Sequence, residues 1–171
     1  PLPTGGPTSV MDLEYAQRVL RSGAFTVGEP FKGRITGRWV APLVYPRRDL
    51  RDQIIGWVGV PLDVQRIGDL IGRGASAPGD VIAVISPQGR IVSRSVDALR
   101  WVGTDVRAQP RAAAMLAGSL HGWQGTGIDG VARIWRVADV PLAGWKVLVG
   151  LDEARLLAPT NAALARRSAP A

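Results

Sequence analysis

The chain of 171 residues contains no cysteine, which excludes a disulfide framework and any thiolate metal centre. A single histidine, His121, excludes a histidine-rich metal site within one chain. No apolar run approaches the ~20 residues that cross a bilayer as a helix. The opening residues, PLPTGGP, carry neither the basic nor the apolar region of a secretory leader. Lysine is scarce, since 19 of the 21 basic residues are arginine. No GxSxG nucleophile elbow is present, and Ser119 beside His121 has no carboxylate placed to orient the base. The carboxylates are scattered singly at turns and helix starts, so no pair suits general acid–base work. These absences predict a protein that is not an enzyme and carries no cofactor or metal.

What is present describes a globular chain, 46% hydrophobic and 20% charged. The formal net charge is +7, but the arginines are spread along the whole length. Short pairs occur only at Arg47-Arg48 and Arg166-Arg167. Without a basic stripe or helix there is no electrostatic footprint for nucleic acid.

Along the chain, a Pro- and Gly-rich start gives way to a predicted helix over 11–21, with Asp12 as N-cap and Gly23 as stop. Leu13, Ala16, Val19 and Leu20 set its helical spacing. Strands are expected at 25–27, 38–45 and 54–62, with residues 46–52 as the turn between the last two. Residues 63–73 return to helical periodicity, with Asp63 as cap. GASAPGD, residues 74–80, reads as a linker. A second series follows: strands at 81–86 and 90–95 around Pro87-Gln88-Gly89, a helix over 110–120, and strands at 121–126, 131–138 and 145–151. The tail from Asp152 to Arg167 reads as helix apart from Pro159.

The two series repeat each other. Val60 to Ile67 (VPLDVQRI) matches Val149 to Leu156 (VGLDEARL): an apolar strand ending in Leu-Asp, then Arg and an aliphatic residue. Each half reads as a small antiparallel sheet followed by a helix. The GxGxxG at Gly125 to Gly130 precedes a strand, so it predicts a hairpin with Asp129-Gly130 at its tip rather than a dinucleotide site.

The segment with most binding chemistry is FTVGEPFKGRITGRWVAPLVY, residues 25–45. Strand alternation puts Trp39, Ala41, Leu43 and Tyr45 on one face, with Arg38, Val40 and Val44 opposite. Such a face could be core, or it could present rings and a guanidinium to a small anion.

Together with Asp12-Leu13-Glu14-Tyr15, Tyr45-Pro46, Arg48-Asp49 and Ile55-Gly56, that segment resembles the Cache sensor domains of bacterial chemoreceptors, sensor kinases and cyclic-dinucleotide enzymes. VIAVISPQGRIVSRS, Trp101-Val102-Gly103 and WKVLVGLDEARL resemble the membrane-proximal half of a double Cache. The resemblance implies an α+β fold of two small PAS-like antiparallel modules in tandem. Residues 1–75 would be the distal module, lacking its N-terminal long helix and early strands. Residues 76–157 would be the proximal module, and 158–171 a tail leading towards a membrane span. It implies a periplasmic, ligand-binding part of a membrane-anchored receptor that relays a conformational change, with homodimerisation or a purely structural role as the alternative. The amino-acid-binding branch has Arg and Trp just before the helix Tyr and Asp near the end of the third distal strand. Asp12, Leu13, Glu14 and Pro61 occupy those places here. The resemblance therefore points to a carboxylate or other small anion as partner, met by Arg34 or Arg38 within walls formed by Tyr15, Trp39 and Tyr45.

Overall fold

Ala16 and Val19, three residues apart, are the fully buried side chains of the first helix, α1 (Glu14–Ser22). A computed structural model describes residues 13–34, 36–75 and 77–159 of the protein. Gly23 ends α1 in the left-handed region at φ 61°, its N–H donating to Val19 O, as the sequence predicts. Leu13 stands at the N-cap without a side-chain bond, and the expected cap, Asp12, lies outside the described residues.

Four strands follow: β1 (Thr26–Val27), β2 (Phe31–Lys32), β3 (Trp39–Arg48) and β4 (Ile54–Asp63). β3 is the centre of this antiparallel sheet, pairing with β1 and β2 on one side and β4 on the other. The expected turn at 46–52 is shorter in the structure, because β3 runs on to Arg48. Gly28 N–H donates to Pro42 O, so the even-numbered backbone groups of β3 face β1. The missing N–H of Pro46 therefore points to where β1 has already ended, and a proline is tolerated there. Asp63 then caps α2 (Val64–Gly72) by accepting from Gln65 N–H at 2.9 Å.

The second sheet contains β5 (Val81–Ile85), β6 (Ile91–Arg94), β7 (Gly122–Thr126), β8 (Ala132–Val140) and β9 (Trp145–Asp152), in the order β6-β5-β9-β8-β7, all antiparallel. Short helices α3 (Ala98–Trp101) and α4 (Ala112–Leu116) lie between β6 and β7. The 110–120 helix is thus half as long as predicted, while α3 and β2 carry no periodicity long enough to have been seen. After β9, residues 153–159 are helical, and the remainder of the expected tail helix lies outside the described residues.

The residues of β5 alternate between two cores. Ala83 and Ile85 pack with Ile91, Met115, Trp135 and Leu148 on one face. Val84 packs on the other with Val92, Val102 and Trp145, and with Ala41 and Val64 from the first half. The second sheet is therefore buried on both sides, as an uninterrupted apolar strand such as VIAVI requires. Leu43, Leu62, Ile67 and Ile71 complete this shared core. The layers run α1, first sheet, shared core with α2, second sheet, then α4.

Trp39 is also in the shared core and lies against Gly103, which holds φ 83°. A Cβ at Gly103 would fall within the van der Waals surface of the Trp39 ring. Gly103→Ala combines a disfavoured backbone region with overpacking and should cost about 2 kcal/mol or more. Thermal unfolding of the variant measures this; wild-type stability would show that Trp39 is not seated there.

Candidate functional site

The five residues expected to bind ligand do not converge. Tyr15 points from α1 into an aromatic cluster, stacked on Phe31 (6.0 Å) and edge-on to Trp57 (5.9 Å). Phe31 pairs with Val40, and Trp57 with Pro46, which places this cluster on the even-numbered face of β3. Trp39 and Tyr45 share the odd-numbered face, as predicted, but that face packs on the second sheet. Trp39 is used in that core, with Lys32 Nζ 5.9 Å from its ring centroid. Tyr45, at the far end, is 60% exposed. Arg38 is exposed and 3.5 Å from Asp63, while Arg34 lies exposed in the turn after β2. Alternation placed the side chains of β3 correctly; what it lacked was the layer packed against each face.

A cavity of about 280 Å³ lies in the second half, between the face of β5, β9 and β8 and the helix α4. Ile85, Ile91, Val106, Ala112, Met115 and Leu148 form apolar walls. Trp135, stacked on Trp123 at 5.7 Å and 17°, closes one side, and its indole N–H donates to Gly125 O at 3.0 Å. The lining holds two guanidiniums, Arg94 and Arg111, with Gln109 and Thr126, and no aspartate or glutamate among the described residues. Register explains Arg94: it pairs with Ala83 on β5 and so shares the cavity face. A second, more open hollow of about 480 Å³ near Pro87 and Trp145 is bounded by turns and the Lys146–Asp139 ion pair.

Arg94 is almost fully buried, with 4% of its side chain exposed. Its guanidinium lies 5.2 Å from the Trp101 ring centroid. Nη2 donates to Asp129 Oδ2 at 2.5 Å, and Arg133 Nη1 donates to Asp129 Oδ1 at 2.8 Å. Asp129 sits on the β7–β8 turn, so the glycine-rich segment is a hairpin tip, as its following strand indicated, and also a clasp over the cavity. Arg133 Nε continues to Gly79 O at 2.7 Å. The next residue, buried Asp80, accepts from Arg155 Nη2 at 2.7 and 2.9 Å and from Asp152 N–H at 3.0 Å. A continuous polar chain thus runs from the cavity to the helical residues 153–159. At the other junction of the halves, Ser86 Oγ donates to Glu29 Oε2 at 2.6 Å, and burial pushes the Glu29 carboxyl up despite that bond.

Reading the sequence missed Arg94, Arg133 and Asp129 as a group. The available signal was an arginine inside each of two apolar strands, RIVSRS and VARIWRVAD.

Burial alone would raise the Asp129 carboxyl, but the hydrogen bonds from Arg133 and Arg94 overcome it and hold it at about 2. A folded-state value below the unfolded ~3.9 adds stability that is complete above pH ~4 and lost as pH falls towards 2. Asp129→Asn should therefore flatten the loss of stability between pH 4 and 2 in acid-unfolding curves. An unchanged acid slope would remove Asp129 from the ion pair.

No family model matches the sequence, and no curated protein matches it. Solved structures do match in fold. The periplasmic sensory domain of the Campylobacter jejuni chemoreceptor Tlp1 superposes with a TM-score of 0.71 at 18% identity, over 88% of this chain and 58% of that one. The extracellular domain of a putative histidine kinase, mmHK1S-Z3, gives 0.75 at 15% identity, over 91% and 59%. The ligand-binding domain of the Pseudomonas aeruginosa amino acid chemoreceptor PctB, in complex with L-Arg, gives 0.68 at 17% identity, over 91% and 66%. The chain spans about three fifths of the length of the first two of these domains. Its antiparallel sheets and helices have the PAS-like fold of the extracytoplasmic sensory domains of chemoreceptors and histidine kinases.

Proposed function

We propose that this chain is the small-molecule sensing part of an extracytoplasmic, membrane-anchored bacterial receptor, and that its ligand occupies the cavity beneath α4. The observation that carries this reading is the cavity itself: about 280 Å³, mainly apolar, with a buried guanidinium in its wall. The neighbours in fold are named as sensory and ligand-binding domains, which supports recognition without chemistry.

The chain reads as two PAS-like modules in tandem, 1–75 and 76–157, with 158–171 leading towards a membrane span. The repeated junctions support this. β4 passes through Leu62-Asp63 into α2, and β9 passes through Leu151-Asp152 into the helical residues 153–159. Asp63 accepts from Gln65 N–H and Asp152 from Arg155 N–H. β9 has a strand on each side, whereas β4 pairs only with β3 among the described residues. Val58 and Val60 of β4 are 61% and 63% exposed. A ten-residue apolar edge is a liability unless something pairs with it.

A ligand shifts a receptor only through its different affinity for two conformations. Here the moving part is the β7–β8 turn, whose Asp129 is tied through Arg133 and Gly79-Asp80 to Arg155. Occupation of the cavity repositions that turn and, through the chain of ion pairs, the helix that follows β9.

A thermal-shift screen against small carboxylates, amines and sugars tests the assignment. A ligand at a hundred times its Kd should stabilise the protein by about 2.7 kcal/mol. Ala112→Leu, which fills the cavity wall, should remove that shift while leaving a folded protein. A shift that survives Ala112→Leu would place the ligand elsewhere, and a flat screen would favour a structural or dimerising module.

A further inference from the structure

We propose that the cavity takes a compact apolar monocarboxylate carrying no cationic group, with its anion on the buried guanidinium of Arg94. The proposal rests on the assignment of the ligand to this cavity and adds the ligand's chemical class.

Charge is the first argument. Asp129 is the only carboxylate within ion-pair distance of Arg94 among the described residues, and it is shared with Arg133. Both guanidiniums are at least nine-tenths buried, at 4% and 5% side-chain exposure. Asp80, also buried, is paired with Arg155 and acts electrostatically on Arg133 as well. Asp80 thus helps to compensate Arg133, whereas Arg94 has only its share of Asp129, and a second anion in the cavity would complete its neutralisation.

Donor geometry is the second. Arg94 uses Nη2 on Asp129. The same residue lines the cavity. Nε and Nη1 carry three of the five donor hydrogens of a guanidinium and point to opposite sides of it, so either can give a single charge-assisted hydrogen bond to a carboxylate beside Asp129.

The lining excludes a zwitterion. An α-amino acid brings an ammonium that needs a carboxylate or a ring of acceptors; no aspartate or glutamate lines the cavity among the described residues, and Asp129 at its clasp is already engaged by two arginines. The second cation on the wall, Arg111, adds repulsion. Size and walls set the rest of the ligand. The volume is about twice that of a ~150 Å³ apolar cavity that holds benzene, and the stacked Trp123 and Trp135 offer a flat wall to a ring or branched chain.

Isothermal titration of the protein with four phenyl-bearing probes that differ in their polar group tests this: phenylacetate, 2-phenylethanol, phenethylamine and L-phenylalanine. Phenylacetate should bind at least tenfold more tightly than the other three. Arg94→Met leaves Asp129 on Arg133 and should erase the preference for phenylacetate over 2-phenylethanol. The ranking in the wild-type protein decides the matter even if that variant fails to fold. Equal affinity for phenylacetate and 2-phenylethanol, tightest binding by L-phenylalanine, or a preference that persists in a folded Arg94→Met protein would overturn the anion assignment and keep the cavity. Binding by none of the four, or binding untouched by Ala112→Leu, would overturn the cavity assignment itself.

Discussion

β5 and β6 are packed from both sides, and the positions of the other elements follow from that burial. Val84 and Val92 face α2 and the first sheet, while Ala83, Ile85 and Ile91 face the core below α4. A strand buried on both faces has no solvent side to absorb a polar residue without compensation. Ser93 therefore donates to Val64 O at 3.3 Å, and Arg94 is met by Asp129 and the Trp101 ring. The polar contacts at the cavity exist because the second sheet is central.

The same arrangement makes the two halves one packed body. Ala41, Leu43 and Trp39 bury their face of β3 against the second sheet, with α2 between them. The Trp39 end of an aromatic face is thereby part of the interior of the molecule, while Tyr45 at its far end stays exposed. The cavity appears on the far side of the second sheet, where α4 is only five residues long and the walls are large but few. Short helices cover a sheet incompletely, and the gap that remains is apolar because the sheet beneath it is.

Electrostatics ties the cavity to the end of the chain. Arg94, Asp129, Arg133, Gly79-Asp80 and Arg155 form a chain of hydrogen bonds and ion pairs that crosses β6, the β7–β8 turn, β8 and the start of β5. Asp80 and Asp129 are both held below the ordinary carboxylate range, because the hydrogen bonds from arginine outweigh the cost of burial. The preference for arginine over lysine is suited to this, since one planar guanidinium can join two partners at once.

Local order was legible in the sequence because it depends on near neighbours. The Gly23 stop, the Asp63 cap, the alternation of β3 and the paired Leu-Asp junctions each follow from residues within one or two turns of the chain. So did the antiparallel α+β class, which needs only strand periods separated by turns. That Tyr15 lies on the opposite face of β3 from Trp39 and Tyr45 was not legible, for a different reason. Which face of a sheet is open is decided by what lies against it, and Gly103 and Val84, which cover the Trp39 face, are 64 and 45 residues away in sequence. Arg94 and Asp129 meet across 35 residues, and no periodicity encodes that. Sequence alone set the longer elements, the Gly23 stop, the Asp63 cap and the faces of β3; tertiary packing decided which face became core and which enclosed a cavity, because burial is a property of pairs of surfaces.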